Sequence, residues 1–174
     1  MTSAQSMAEG QPEAAVIPDL FNLCDAALGA ADTLYQEARS AISILVKREG
    51  RIDPAALEAN QFAVHGFAWF ATYVESLREL LGWTRRLKEE GRLGELETLI
   101  LQTAYGEYLS QLTGGIAMSQ VEVVRPSDLG LSDDAVAAFG IPAVTALVAQ
   151  GNSSAVRSRI AELVTDGLDT GDFG

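Results

Sequence analysis

Residues 94–131 read GELETLILQTAYGEYLSQLTGGIAMSQVEVVRPSDLGL, and the first half of that stretch decides the fold class. Leu96, Leu99, Ile100, Thr103, Tyr108, Leu109, Leu112 and Ile116 return mostly at three- and four-residue steps. That is the period of a helix laying one apolar stripe on a core. The stripe stops at Gly114-Gly115, and a Met-Ser-Gln segment follows. Arg125-Pro126 then breaks any helix, because proline lacks an N–H and restricts the residue before it.

Just upstream, Gly91-Arg92-Leu93-Gly94 is a short turn, so the preceding helix is an antiparallel neighbour. That helix has a marked start at Asp53-Pro54, an N-cap followed by proline at the first helical position. It reads as unbroken to about Glu90. Leu57, Phe62, Phe67, Trp69, Phe70, Tyr73, Leu77, Leu80, Leu81 and Leu87 give it most of the aromatic mass of the chain. At about 1.5 Å per residue it exceeds ~50 Å, with Gly66 and Gly82 as places to bend or admit a neighbour.

Further upstream, Leu20, Cys24, Ala27, Ala31, Leu34, Ala38, Ile42 and Leu45 mark a long helix from Pro18-Asp19 to about Lys47. Lys47 and Arg48 suit its C-terminal dipole and Gly50 its cap. Downstream, Ser132-Asp133-Asp134 opens a short helix to Phe139, and Pro142 opens another to about Gln150. Asn152 or Ser153 caps a last one through Val156, Ile160, Leu163 and Val164. Only Val121–Val124 has strand character, and it is too short to make a sheet.

The expected architecture is therefore all-α. Residues 16–166 form an antiparallel helical bundle of three long helices plus short C-terminal helices, closing a four-helix-type arrangement. Residues 1–15 read as a mobile tail, and 167–174 as an acidic, Gly-rich linker or truncation point.

Of the 174 residues, 48% are apolar, enough to bury a core. The formal charge of −12 argues for solubility and against nucleic acid or anionic lipid as a partner. The one basic cluster, Arg85, Arg86, Lys88 and Arg92, is interleaved with Glu89, Glu90 and Glu95 and reads as a solvated helix face. No apolar run reaches the roughly 18 residues of a membrane span. The N-terminus lacks the pattern of a signal peptide. A single cysteine, Cys24, excludes an internal disulfide and fits a reducing, cytoplasmic setting. It lies on an apolar stripe and reads as a buried small hydrophobe rather than a nucleophile.

Catalytic constellations are absent from the pattern. His65 is the only histidine, which excludes a two-His zinc site. Glu75, Glu79 and Glu107 lack the Glu-x-x-His motif of a bundled di-metal centre. No phosphate-cradling loop, dinucleotide fingerprint, nucleophile elbow or calcium loop occurs. The small-residue spacing Gly66, Gly82, Gly106 is too loose to carry a packing motif. Trp69, Phe70, Tyr73, Trp83, Tyr105 and Tyr108 span more arc than one face holds. They read mainly as core, with part of the set available as an outer patch.

The stretch from His65 to Leu131 resembles the N-terminal extension of a group of bacterial acyl-CoA dehydrogenases. The resemblance covers roughly residues 15–166 and is most specific in GELETLILQTAYGEYLSQLTGGIAMSQ and RPSDLGL. Within the family it points to the branch that desaturates a branched dicarboxylic acyl-CoA in the ethylmalonyl-CoA pathway. It implies an all-helical extension ahead of an FAD-binding dehydrogenase core in a cytoplasmic homo-oligomer, such as a homodimer. Gln111 to Gln120 resembles, more loosely, a Gln-x-x-Gly-Gly stretch of the family's own C-terminal helical domain. There it lies by the flavin of a neighbouring subunit.

The family's catalytic glutamate and its FAD and CoA contacts belong to a core expected to begin about where this chain stops. No catalytic, cofactor or metal residue is therefore expected in the chain. The resemblance implies a non-catalytic domain that packs on the dehydrogenase core or a second subunit and helps shape the acyl-CoA and flavin site. The interface candidates are Trp69, Tyr73, Trp83, Tyr105, Tyr108, Gln111, Gly114, Gly115, Met118 and Gln120. The alternative is a free-standing helical protein–protein interaction module.

Overall fold

The structure is a computed structural model and describes residues 15–170. The chain runs α1 (Leu20–Val46), β1 (Lys47–Arg48), β2 (Arg51–Ile52), α2 (Pro54–Ala59), α3 (Gln61–Glu89) and α4 (Glu95–Gly114). There follow β3 (Ile116–Ala117), β4 (Val123–Val124), a 3-10 turn (Pro126–Leu129), α5 (Asp133–Phe139), α6 (Pro142–Gln150) and α7 (Ser154–Thr170). The all-α expectation holds. The expected mobile tail lies, but for Ala15, outside the described residues, as do residues 171–174 of the expected linker. Helix α7 runs through Gly167 to Thr170, past the boundary where that linker was expected to begin.

Four helices close a ring. Helix α1 packs on α3, α3 on α4, α4 on α6, and α6 back on α1. The α1 face is the one its period predicts: Leu20, Cys24, Ala27, Ala31, Leu34, Ala38 and Ile42 are buried. Ala27, Ala31 and Ala38 flatten that face on either side of Leu34, so neighbouring helices approach closely. Val46 replaces the expected Leu45 as its last buried residue. Asp32–Arg78 and Asp25–Arg85 pair across the α1–α3 seam, and Tyr35 stacks on Phe67 with ring centroids 5.5 Å apart. The rising numbers on one helix meet falling numbers on the other, so the pair is antiparallel. Both ion pairs are exposed and register the helices more than they stabilise them.

Helix α4 does not lay down one stripe. Ile100, expected inside, is exposed, whereas Leu101, Gln102, Tyr105 and Gly106 are buried beside Leu99, Leu109 and Leu112. The physical reason is position: α1, α3, α6 and α7 all pack on α4, so it is covered on several sides. Buried Gln102 is fully used. Its Oε1 accepts from Ile17 N at 2.8 Å and its Nε2 donates to the Ala15 carbonyl at 2.8 Å, holding the segment before α1.

The long second helix is broken, and not at either expected glycine. Asn60 separates α2 from α3, with its Nδ2 donating to the Ala56 carbonyl at 2.7 Å. An asparagine side chain that caps the last turn offers the backbone an alternative to continuing it. Asp53 does cap the start, its Oδ1 accepting from Ala56 N at 2.7 Å.

Gly66 and Gly106 prove to have packing roles after all. A Cβ on Gly66 would stand 2.9 Å from Val124 Cβ. A Cβ on Gly106 would stand 2.9 Å from the Leu147 oxygen and 3.0 Å from Gly151 Cα, so α4 meets the α6–α7 junction backbone to backbone. Gly82 faces only a flexible arginine end.

Two short antiparallel ladders correct the expectation of no sheet. Lys47 pairs with Ile52 and Arg48 with Arg51, turning at Glu49 and Gly50, both at positive φ. Ile116 pairs with Val124 and Ala117 with Val123. Both hairpins lie at one end of the bundle, where α1 and α4 finish and α3 begins. At the opposite end α7 runs antiparallel to α4. Arg159 Nε and Nη2 donate to the Glu95 carboxylate at 2.8 and 2.7 Å, and the rest of α7 passes beyond the first turn of α4.

Candidate functional site

The interface candidates divide into three groups. Tyr105 leaves the set: it is fully buried, and its hydroxyl donates to the Leu77 carbonyl at 3.0 Å. It ties α4 to α3 from inside and offers nothing to a partner. Phe70 is likewise core.

The second group forms a polar-aromatic seam between α3 and α4. Tyr73 and Tyr108 lie with ring centroids 4.5 Å apart, and the Tyr73 hydroxyl donates to Gln111 Oε1 at 2.8 Å. Burial beside a second phenol pushes the Tyr73 pKa up, so it stays a neutral donor. Trp69 lies one turn from Tyr73 on α3 and is 36% exposed; its Nε1 donates to Nε2 of the exposed His65 at 3.1 Å. His65 is therefore an outward residue with one hydrogen bond. Trp83 is half-buried farther down α3.

The third group is the β3–β4 hairpin. Gly115 has φ 116, and a Cβ there would stand 2.7 Å from Val123 Cγ1. The glycine is required by the hairpin itself. Gly114 is exposed with open space around it. Met118 packs on the core from the side, and Gln120 is exposed. The Gly pair thus splits into one residue with an internal task and one without.

The same end of the bundle carries features the sequence reading missed. The β1–β2 hairpin presents Lys47, Arg48 and Arg51, with only Glu49 among them, on a chain of net charge −12. The Arg48 guanidinium donates to the Ile44 and Leu45 carbonyls in the last turn of α1 and to the Lys47 carbonyl at 2.8 Å. Ile44 and Ile52 beside it are 76% and 61% exposed. The one available sequence signal is the Glu49-Gly50 pair between two short runs, a two-residue turn with glycine second.

Acid–base and ligand chemistry finds little purchase. Cys24 is buried, and desolvation pushes its thiol up to about 12. Among the described residues no three His, Cys, Asp or Glu side chains are grouped to hold a metal. An open groove of about 560 Å³ lies between α1 and the start of α5, lined by Thr33, Gln36, Glu37, Ser40 and Gly130 among others. The Thr33 and Ser40 hydroxyls both donate to carbonyls of their own helix. No helix among the described residues is long and apolar enough to cross a membrane.

No protein-family model matches the chain. The chain is similar to (2S)-methylsuccinyl-CoA dehydrogenase of Cereibacter sphaeroides, with 44% identity over 167 residues. The match takes in 95% of this chain and 29% of that enzyme, so the chain spans less than a third of its relative's length. The acyl-CoA dehydrogenase resemblance drawn from the sequence is borne out by this match.

Proposed function

We propose that this chain is the N-terminal, non-catalytic helical domain of a cytoplasmic, homo-oligomeric, FAD-dependent acyl-CoA dehydrogenase of the methylsuccinyl-CoA type. Its task is to pack on the dehydrogenase core, help shape the acyl-CoA and flavin site, and support assembly. The observation that carries the reading is the extent of the match: nearly the whole chain aligns with under a third of a much longer enzyme. The flavin, the acyl-CoA and the catalytic base belong to the rest of such an enzyme. The bundle supplies a rigid, helix-lined surface to set against it.

The test is removal and restoration. The matched segment is deleted from the Cereibacter sphaeroides enzyme, and flavin content, subunit mass and desaturation of methylsuccinyl-CoA are measured. This chain is then added back in trans. The reading expects impaired turnover or assembly on deletion and recovery on addition. Unchanged activity and assembly, with no association, would sink it. A free-standing interaction module is the second reading, favoured by exposed Phe62 and Trp69 on one helix. It expects the chain to bind another protein and to ignore the enzyme.

A further inference from the structure

The large apolar side chains that stand exposed are unevenly spread. Of eleven among the described residues, seven sit at the end where α1 and α4 finish and α3 begins, Ile44, Ile52, Phe62, Trp69 and Val121 among them. Scattered exposed apolar residues are ordinary; a concentration at one end of a bundle marks a contact surface. The same end carries Lys47 and Arg51, which have no ion pair among the described residues. The type of turn is also demanding. Glu49 has φ 50, a left-handed conformation that costs a non-glycine residue free energy, where a plain helix-to-helix connection needs no ladder at all.

We infer that this hairpin end is the face that docks on the dehydrogenase part of the enzyme, with Ile44 and Ile52 covered and Lys47 and Arg51 meeting carboxylates there. The inference rests on the proposed function, and it names the surface that reading leaves open. Two observations choose the occupant. About seven tenths of the relative's length lies outside the matched segment, so a large body is available. In a two-fold pair of copies meeting at this face the hairpin cations would stand against one another, so they are set to meet acidic groups on another body. The seam of Tyr73, Tyr108 and Gln111 is less suited, because the Tyr73 hydroxyl is already held by Gln111 Oε1 and the two rings pack on each other.

The experiment compares amide hydrogen exchange in the 174-residue chain alone and in a hybrid enzyme. In the hybrid, this chain replaces the matched segment of the Cereibacter sphaeroides dehydrogenase. Peptides covering 44–52 and 116–124 should slow by about tenfold or more in the hybrid, while those covering α5 and α6 change little. Lys47→Glu with Arg51→Glu should abolish that protection and lower the melting temperature of the isolated chain by no more than about 4 °C, the cost of a reversed charge at the end of α1. Protection elsewhere, with the hairpin end unaltered, overturns the inference and keeps the proposed function. No protection anywhere overturns both. A dimer of the isolated chain that already protects these peptides makes a second copy the occupant and overturns the inference. If the hybrid does not fold, the same comparison is read on the aligned segment of the intact Cereibacter sphaeroides enzyme, with the same outcomes.

Discussion

Gly106→Ala is the sharpest probe of how the ring of helices is closed. In an ordinary helix interior the change stabilises by roughly 0.5–1 kcal/mol. Here the new Cβ would lie 2.9 Å from the Leu147 oxygen, 3.0 Å from Gly151 Cα and 3.2 Å from Asn152 N. All three are backbone atoms, so none can rotate away. Helix α4 and the α6–α7 junction must separate by several tenths of an ångström to restore normal contact. Overpacking of this kind costs up to about 3 kcal/mol, which leaves a net loss of about 2 kcal/mol. At roughly 2–4 °C per kcal/mol for a domain of this size, the melting temperature should fall by about 4–8 °C. Gly29→Ala is the control: it is also inside a long helix, but nothing lies within 4 Å of its Cβ position. It should melt slightly above the parent. Circular dichroism at the helix band reads both. A Gly106→Ala protein as stable as Gly29→Ala would mean the two backbones do not touch, and the account of ring closure would be wrong.

Three further outcomes follow from single sites. Gly115→Ala should cost about 1–3 kcal/mol, because its φ of 116 suits only glycine, whereas Gly114→Ala should be neutral or mildly stabilising; urea midpoints separate them. Asp53→Ala should lose about 1 kcal/mol with the acceptor for Ala56 N, and Asp53→Asn should lose little, so equal midpoints for all three proteins would refute the cap. Cys24 keeps its proton in the folded chain up to about pH 12, while the unfolded chain releases it above about pH 8.5, so its contribution to stability is full below that value and fades as pH rises. Native protein should resist iodoacetamide at pH 8, and Cys24→Ala should flatten the loss of stability with pH between about 9 and 10, below the range where Tyr105, also raised by burial, adds the same sign.

How legible each part was depended on how local its cause is. The caps at Asp53 and Ser132 and the prolines at 54 and 142 act within one turn, and those helix starts fall where the sequence puts them. The α1 stripe was readable because one side of that helix stays in solvent. Helix α4 was not, because neighbours on several sides erase the difference between faces, and Ile100 on the expected stripe is exposed while Gln102, off it, is buried. The β1–β2 hairpin escaped notice because a two-residue strand has no period to detect, and Val121–Val124, though strand-like, offered no sign of its partner Ile116–Ala117. Asn60 escaped because its effect depends on a side chain turning back to Ala56 rather than outward. At the candidate site, the half-exposed placement of Trp69 agrees with reading part of the aromatic set as an outer patch. Lys47 and Arg48 were assigned to a helix dipole and Arg51 to nothing, since only the ladder sets the three in one hairpin.

The pairing of Arg159 with Glu95 fixes more than a helix end. Beyond that point α7 continues for eleven residues, about 16 Å of rod, with Leu168 62% exposed. A rod of this kind transmits azimuth as well as distance. Adding one residue to it turns everything joined after Thr170 by about 100° and moves it by only about 1.5 Å; adding seven nearly restores the heading two turns farther out. Any fusion or domain swap made at this helix therefore has a phase as well as a length. Linker series cut here should show properties that oscillate with residue number rather than decline steadily.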